Sequence, residues 1–263
     1  MRFCLFLVLR INFIGVCKMN TYILYSDESG DFCSKNERQL PWLVGGIWAD
    51  KHYYSPPRLK KLVENLQFQF PFLKQVTHFA DWNKKSGVVE AVLEKFLHWS
   101  YNRNIRFVSM IWKEDRYRGE KNNPVMRHRN MVLELCANLA GRNPEIDSAD
   151  KIVLHPGQGS DRDFNPKLEK NIFKAMWHTY QNHGLILSHA GEIETKTSSA
   201  NIGFDTDLFF FSDFLLGVYR MLLKNPELWN APLGQLFSQI PYWDFCYETQ
   251  IQDVFEKMAS AFV

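Results

Sequence analysis

Two spacings are missing from this chain. No cysteine follows another at Cys-x-x-Cys distance, and no histidine follows another at His-x-x-x-His distance. Those absences argue against a zinc site. The five cysteines, Cys4, Cys17, Cys33, Cys136 and Cys246, are scattered and odd in number. That argues against a disulfide framework and for a reducing, cytoplasmic setting. Neither sign of charge is in large excess: the formal net charge of +2 is weakly basic and says little by itself about a nucleic-acid partner. There is no internal repeat and no long linker. Past the N-terminus, no apolar run of bilayer length is free of charge. The best one, "DLFFFSDFLLGVYRMLL", carries Asp213 and Arg220 inside it. No stable membrane association is expected.

What the chain has instead is apolar and aromatic mass. Of 263 residues 46% are hydrophobic, with 21 Phe, 10 Tyr and 8 Trp, enough to build a sizeable core. The opening "MRFCLFLVLRINFIGVCKM" resembles a weak signal segment, but Arg10 interrupts it and no small-residue cleavage site follows. Met19 stands directly before "NTYILYSDE", where the domain pattern starts. We expect residues 1–18 to be an upstream extension, with a signal peptide or anchor as the alternative. Residues 19–263 are expected to form a single domain.

Periodicity and punctuation then divide the chain. "TYILYSD" and "PWLVGGIWAD" (41–50) predict two strands joined by a turn or hairpin. "SPPRLKKLVENLQFQF" predicts a helix with Ser55 as cap and Leu59, Leu62, Val63 and Leu66 on one face. "VTHFADW" (76–82) links it to a second helix, "GVVEAVLEKFLHWS". A buried strand, "NIRFVSMIW" (104–112), leads into a polar loop, "KEDRYRGEKNNP". Next come a helix, "VMRHRNMVLELCANLAG", stopped at Gly141, and a strand, "KIVLHPG" (151–157). "NPKLEKNIFKAMWHTYQNHG" predicts a helix ended by Gly184, and "LILSHAGEIETKT" an edge strand. "DTDLFFFSDFLLGVYRML" predicts an apolar helix with Asp207 as cap, and the tail after Pro226 is expected to be irregular. Alternating strands and helices, with antiparallel pairing at the front, point to one α/β domain.

The first strand ends in adjacent acids, Asp27 and Glu28. Buried carboxylates need a partner or a metal, and adjacent strand residues face opposite ways, so only one of the two faces a site directly. "YSDESGDF" resembles the opening motif of the DUF3800 family, an aromatic or aliphatic residue followed by Asp-Glu-Ser-Gly. "FFFSDFLLGVYRML" (209–222) resembles that family's late helix, in which an Ala- or Ser-Asp dipeptide precedes apolar residues and a glycine. The resemblance runs from Tyr25 to about Leu223. It implies a ribonuclease H-like mixed sheet flanked by helices, acids that bind a divalent metal, and a setting in phage or mobile-element defence. By motif, Asp27 and Glu28 match the opening acids, Asp213 the late acid, Gly217 the packing glycine and His78 a mid-chain histidine.

The chemistry that follows is phosphodiester hydrolysis. Two Mg²⁺ or Mn²⁺ ions about 4 Å apart activate water and neutralise charge on phosphorus. Oxygen ligands from separate elements suffice for such ions. Asp27 and Asp213 are the expected central ligands, with Asp205 and Glu194 as candidate further ones. Glu28 either reaches in from the turn or orients a ligand, and His78 relays a proton or positions water. Each residue also has a plainer reading. Asp-Glu-Ser-Gly is also a strand-to-turn cap, Asp213 a solvent-facing helix residue, Glu194 a solvated strand residue and His78 a core or loop histidine.

The chain departs from the family pattern where members carry an acid at the end of the strand matched by "KIVLHPG". His155, Pro156 and Gly157 stand there, and the nearest acids are Asp161 and Asp163. That puts two-metal catalysis in question. Between Trp112 and Asn130, Lys113, Arg116, Tyr117, Arg118, Arg127 and Arg129 form a candidate nucleic-acid surface, diluted by Glu114, Asp115 and Glu120. The leading expectation is therefore a metal-dependent nuclease or phosphodiesterase. The alternatives are a non-catalytic nucleic-acid- or protein-binding module on a degenerate scaffold, and a hydrolase of small nucleotides. A protein partner or a second copy of the chain would be a further partner.

Overall fold

The computed structural model describes residues 21–29, 42–50, 56–74, 79–82, 87–101, 105–112, 124–142, 151–156, 166–182, 193–195 and 205–246. Within them six strands form one mixed sheet in the order β5-β4-β1-β2-β3-β6. β1 (Thr21–Ser29), β2 (Trp42–Asp50) and β3 (Ile105–Trp112) make an antiparallel meander. β4 (Lys151–Pro156) joins β1 in parallel on the other side, and β5 (Ile193–Thr195) extends it in parallel. This is an α/β, ribonuclease H-like mixed sheet, to which β6 (Tyr242–Cys246) adds a parallel strand beside β3.

The strands alternate because both faces are covered. Ile23 and Tyr25 of β1 enter one apolar cluster, and Tyr22 and Leu24 enter another. The first cluster packs against α1 (Pro56–Gln69), α2 (Val88–Ser100), α5 (Asp205–Lys224) and α6 (Pro232–Phe237). The second packs against α3 (Pro124–Arg142) and α4 (Pro166–Asn182). Three layers result, α/β/α, with the sheet in the middle.

Local chemistry agrees with most of the expected elements. α1 opens on Pro56 and Pro57, whose fixed φ suits a first helical turn, and buries Leu59, Val63 and Leu66. Glu90 accepts the Gly87 N–H at 3.1 Å ahead of α2, half of a capping box. Three expectations need correction. Gly141 does not stop α3, which continues through Arg142. Asp207 is not the cap of α5, because the helix already includes Asp205. The segment after Pro226 is not irregular: a 3-10 turn (Pro226–Asn230), α6 and β6 follow one another. Ser55, the loop after Trp112 and Gly184 lie outside the described residues. Cys136 is buried and free, and burial pushes its thiol up to about 12. No helix among the described residues is long and apolar enough to cross a membrane.

Candidate functional site

β1 positions Asp27 by simple alternation. Ile23 and Tyr25 point into the layer under α5, so Asp27, two residues on, occupies the same face and is half-buried. The strand does not turn at the acids: Asp27 pairs with Gly45 and Glu28 with Val44. Asp27 also lies at the carboxyl end of β1, just beyond the pairing of Ser26 with Pro156 on parallel β4. In open α/β sheets this edge is where ligands bind.

α5 brings the second acid. Ser212 Oγ donates to the Tyr25 carbonyl oxygen at 3.0 Å, and Phe209 meets the Tyr25 ring edge-on at 5.4 Å. Asp213 thus follows a residue anchored two positions before Asp27. Helix and sheet approach closely because β2 presents Gly45 and Gly46 beneath α5. A side chain on Gly46 would collide with the Tyr25 carbonyl oxygen and lie 3.0 Å from Ser212 Oγ.

Asp213 is half-buried and is not a solvent-facing residue. The Phe79 backbone N–H donates to its Oδ2 at 2.7 Å. One turn further, Gly217 receives the Phe79 ring, and any Cβ there would overlap it. Trp82 packs on Phe214 and Phe210 at 5.0 and 5.3 Å. One side of α5 therefore docks the 3-10 turn Phe79–Trp82 by a carboxylate, a glycine and two rings. This hydrogen bond supplies a reason for an acid in an apolar helix that needs no metal. Replacing Asp213 with Leu should strand the Phe79 N–H and cost about 1–3 kcal/mol. Asp213→Asn keeps an acceptor oxygen and should cost less than about 1 kcal/mol. Chemical denaturation of the two variants checks this, and equal losses would remove the hydrogen bond's importance.

The other candidates are less well gathered. Asp205, the first residue of α5, lies about 12 Å along the helix from Asp213. That spacing is too long for the two to share one ion. Glu194 is the middle residue of β5, two strands from β1 and so about 10 Å away across the sheet. The side chains of Glu28, Asp205 and Glu194 are not among those described, and His78 lies outside the described residues altogether. Among the described residues no group of three or more His, Cys, Asp or Glu side chains could hold a metal ion. His155 pairs with Tyr25 and Pro156 with Ser26, so the end of β4 nearest Asp27 carries His155 and Pro156 where the family pattern has an acid.

The proposed basic surface divides in the same way. Lys113, Arg116, Tyr117 and Arg118 lie outside the described residues, and Arg127 is placed only by its backbone in the first turns of α3. Arg129 is half-buried on α3, a helix that packs on the sheet face opposite α5.

One polar cluster went unnoticed in the sequence. Asp244 on β6 pairs with Ser109, which pairs with Gly45, which pairs with Asp27, a single row across the sheet. Asp244 accepts from Ser109 Oγ and from Tyr219 Oη, each at 2.6 Å. Burial, then the hydrogen bond to Asp244, raises the Tyr219 hydroxyl above its ordinary value. The row spaces Asp244 about 14 Å from Asp27, with α5 crossing between them. Asp244 therefore ties β6 to β3 and α5 and is no member of the Asp27 site. Only the isolated acid in "YWDFC" hinted at it. Neither a family model nor a curated protein matches the chain, so the resemblance to the DUF3800 family rests on the two motifs themselves.

Proposed function

We propose that the chain is a metal-dependent phosphodiester hydrolase acting on nucleic acid, a cytoplasmic protein of the DUF3800 type with a part in phage or mobile-element defence. The observation that carries this reading is the seating of α5 on β1. The Ser212 hydroxyl on the Tyr25 carbonyl holds α5, which carries half-buried Asp213, against β1, which carries half-buried Asp27 near its carboxyl end. Their donors are all oxygen, a set that suits Mg²⁺ or Mn²⁺. Asp27 and Asp213 would hold the cation, with Asp213 also fixing the Phe79–Trp82 turn. A bound cation would lower the pKa of water and offset charge on the phosphoryl oxygens. His78 precedes the residue that Asp213 grips and would accept the proton of the attacking water.

A second reading has its own support. The end of β4 next to Asp27 supplies His155 and Pro156 in place of an acid. On that ground the chain would bind nucleic acid or a protein on this scaffold without cleaving it.

Calorimetric titration with Mn²⁺ and Mg²⁺ tests the proposal on wild type, Asp27→Asn and Asp213→Asn. Wild type should bind, and each variant should lose at least about tenfold in affinity. Unchanged affinity in both would refute the metal site. Labelled single- and double-stranded DNA and RNA, incubated with Mn²⁺, separate the enzyme from the binder: cleavage supports the first reading, and retention without cleavage the second.

A further inference from the structure

Phe68, in the last turn of α1, is 87% exposed. It continues an outward stripe of α1 at helical spacing: Arg58, Lys61, Asn65 and Phe68, all exposed. The opposite face of α1 is the one buried through Leu59, Val63 and Leu66. Lys60 and Glu64 neutralise each other at 3.9 Å beside the stripe, leaving its two cations and nearby Lys74 as net positive charge. Past the end of the helix Phe70 and Phe72 are half-buried, and behind them Trp82 and Phe79 are buried in the core. Phe70 meets Phe72 at 6.5 Å, Phe72 meets Trp82 at 6.4 Å and Trp82 meets Phe79 at 5.8 Å. Phe79 is the residue whose N–H Asp213 accepts.

We infer that this stripe is a platform for single-stranded nucleic acid, with a base stacked on Phe68 and phosphates further along the strand held by Lys61 and Arg58. It rests on the nucleic-acid reading above and adds the strandedness of the substrate. The chemistry selects this occupant. A base needs one flat exposed ring and a backbone needs cations within a few ångströms of it. A membrane-surface helix would need a whole apolar face, whereas α1 exposes a single large apolar side chain amid charge and amide groups. The ten residues from Arg58 to Phe68 span about 15 Å, room for a short run of nucleotides.

Fluorescence anisotropy with labelled oligothymidylate and oligouridylate, each about 20 nucleotides long, tests the platform. Phe68→Ala should weaken binding about 10- to 100-fold, and Phe68→Trp should retain it with quenching of the new indole. Arg58→Gln with Lys61→Gln should lower affinity and reduce the salt slope by about 2. Binding by Phe68→Ala equal to wild type would overturn the inference. So would a wild-type chain that ignores both oligomers, or one that instead associates with itself or with phosphatidylserine vesicles through Phe68. Adding Mn²⁺ separates the two claims. Oligomers bound through Phe68 but never cut leave the platform standing and defeat the hydrolase. Oligomers cut by Phe68→Ala with wild-type KM defeat the platform and leave the hydrolase standing.

Discussion

Gly46→Ala is expected to cost about 4 kcal/mol or more, enough to unfold a protein of ordinary stability. Gly46 pairs with Ser26 on one side and Val108 on the other, at the centre of the sheet. Its φ of 155° is one that L side chains seldom adopt. A new methyl group there would meet the Tyr25 carbonyl oxygen, which is backbone and cannot swing away, and also Ser212 Oγ at 3.0 Å. Relief requires β1 to separate from β2, or α5 to lift. Either movement breaks the Ser212–Tyr25 hydrogen bond that seats α5 on β1. Chemical denaturation measures the effect. A loss below about 1 kcal/mol would mean that α5 does not press on β1 and β2 as described.

Phe214→Ala is expected to cost about 3–5 kcal/mol, the range for emptying a buried aromatic site. The side chain is 1% exposed and meets Phe79 and Trp82 at 5.6 and 5.0 Å. Trp82 is itself buried between Phe72, Phe79, Phe210 and Phe214, so collapse into the cavity would have to move a large ring. The damage should centre on the Phe79–Trp82 turn, and amide exchange at Phe79 should accelerate more than exchange in β1. Equal acceleration in both would show that the turn is not docked independently. Phe68→Ala supplies the contrast: an exposed ring should change stability by no more than about 0.5 kcal/mol.

Much of the scaffold was legible in the sequence. Strands β1 to β4 and helices α1 to α5 follow from runs of apolar residues at the right period, because each buries a face against a layer that is itself apolar. β6 escaped for a physical reason. It is five residues long, only Phe245 among its described side chains is buried, and its exposed Asp244 is held by hydroxyl donors from Ser109 and Tyr219. No local pattern announces such partners. The same limit applies at the acids. Adjacent Asp27 and Glu28 raised the question of a partner, and the family resemblance suggested Asp213. Neither could show that Asp213 grips the Phe79 N–H, 134 residues away in the chain. That bond changes the chemistry expected of the acid, since one of its oxygens already serves a backbone donor.

The added strand β6 has a bearing on where the folding unit stops. Motif similarity fades near Leu223, yet Phe237 still covers the rings of Phe107 and Tyr219, and Asp244 still satisfies Ser109. A chain trimmed at the last recognisable motif would bare those rings to water and leave a hydroxyl in the sheet without its acceptor. The unit that can be moved, fused or expressed by itself therefore reaches at least to Cys246.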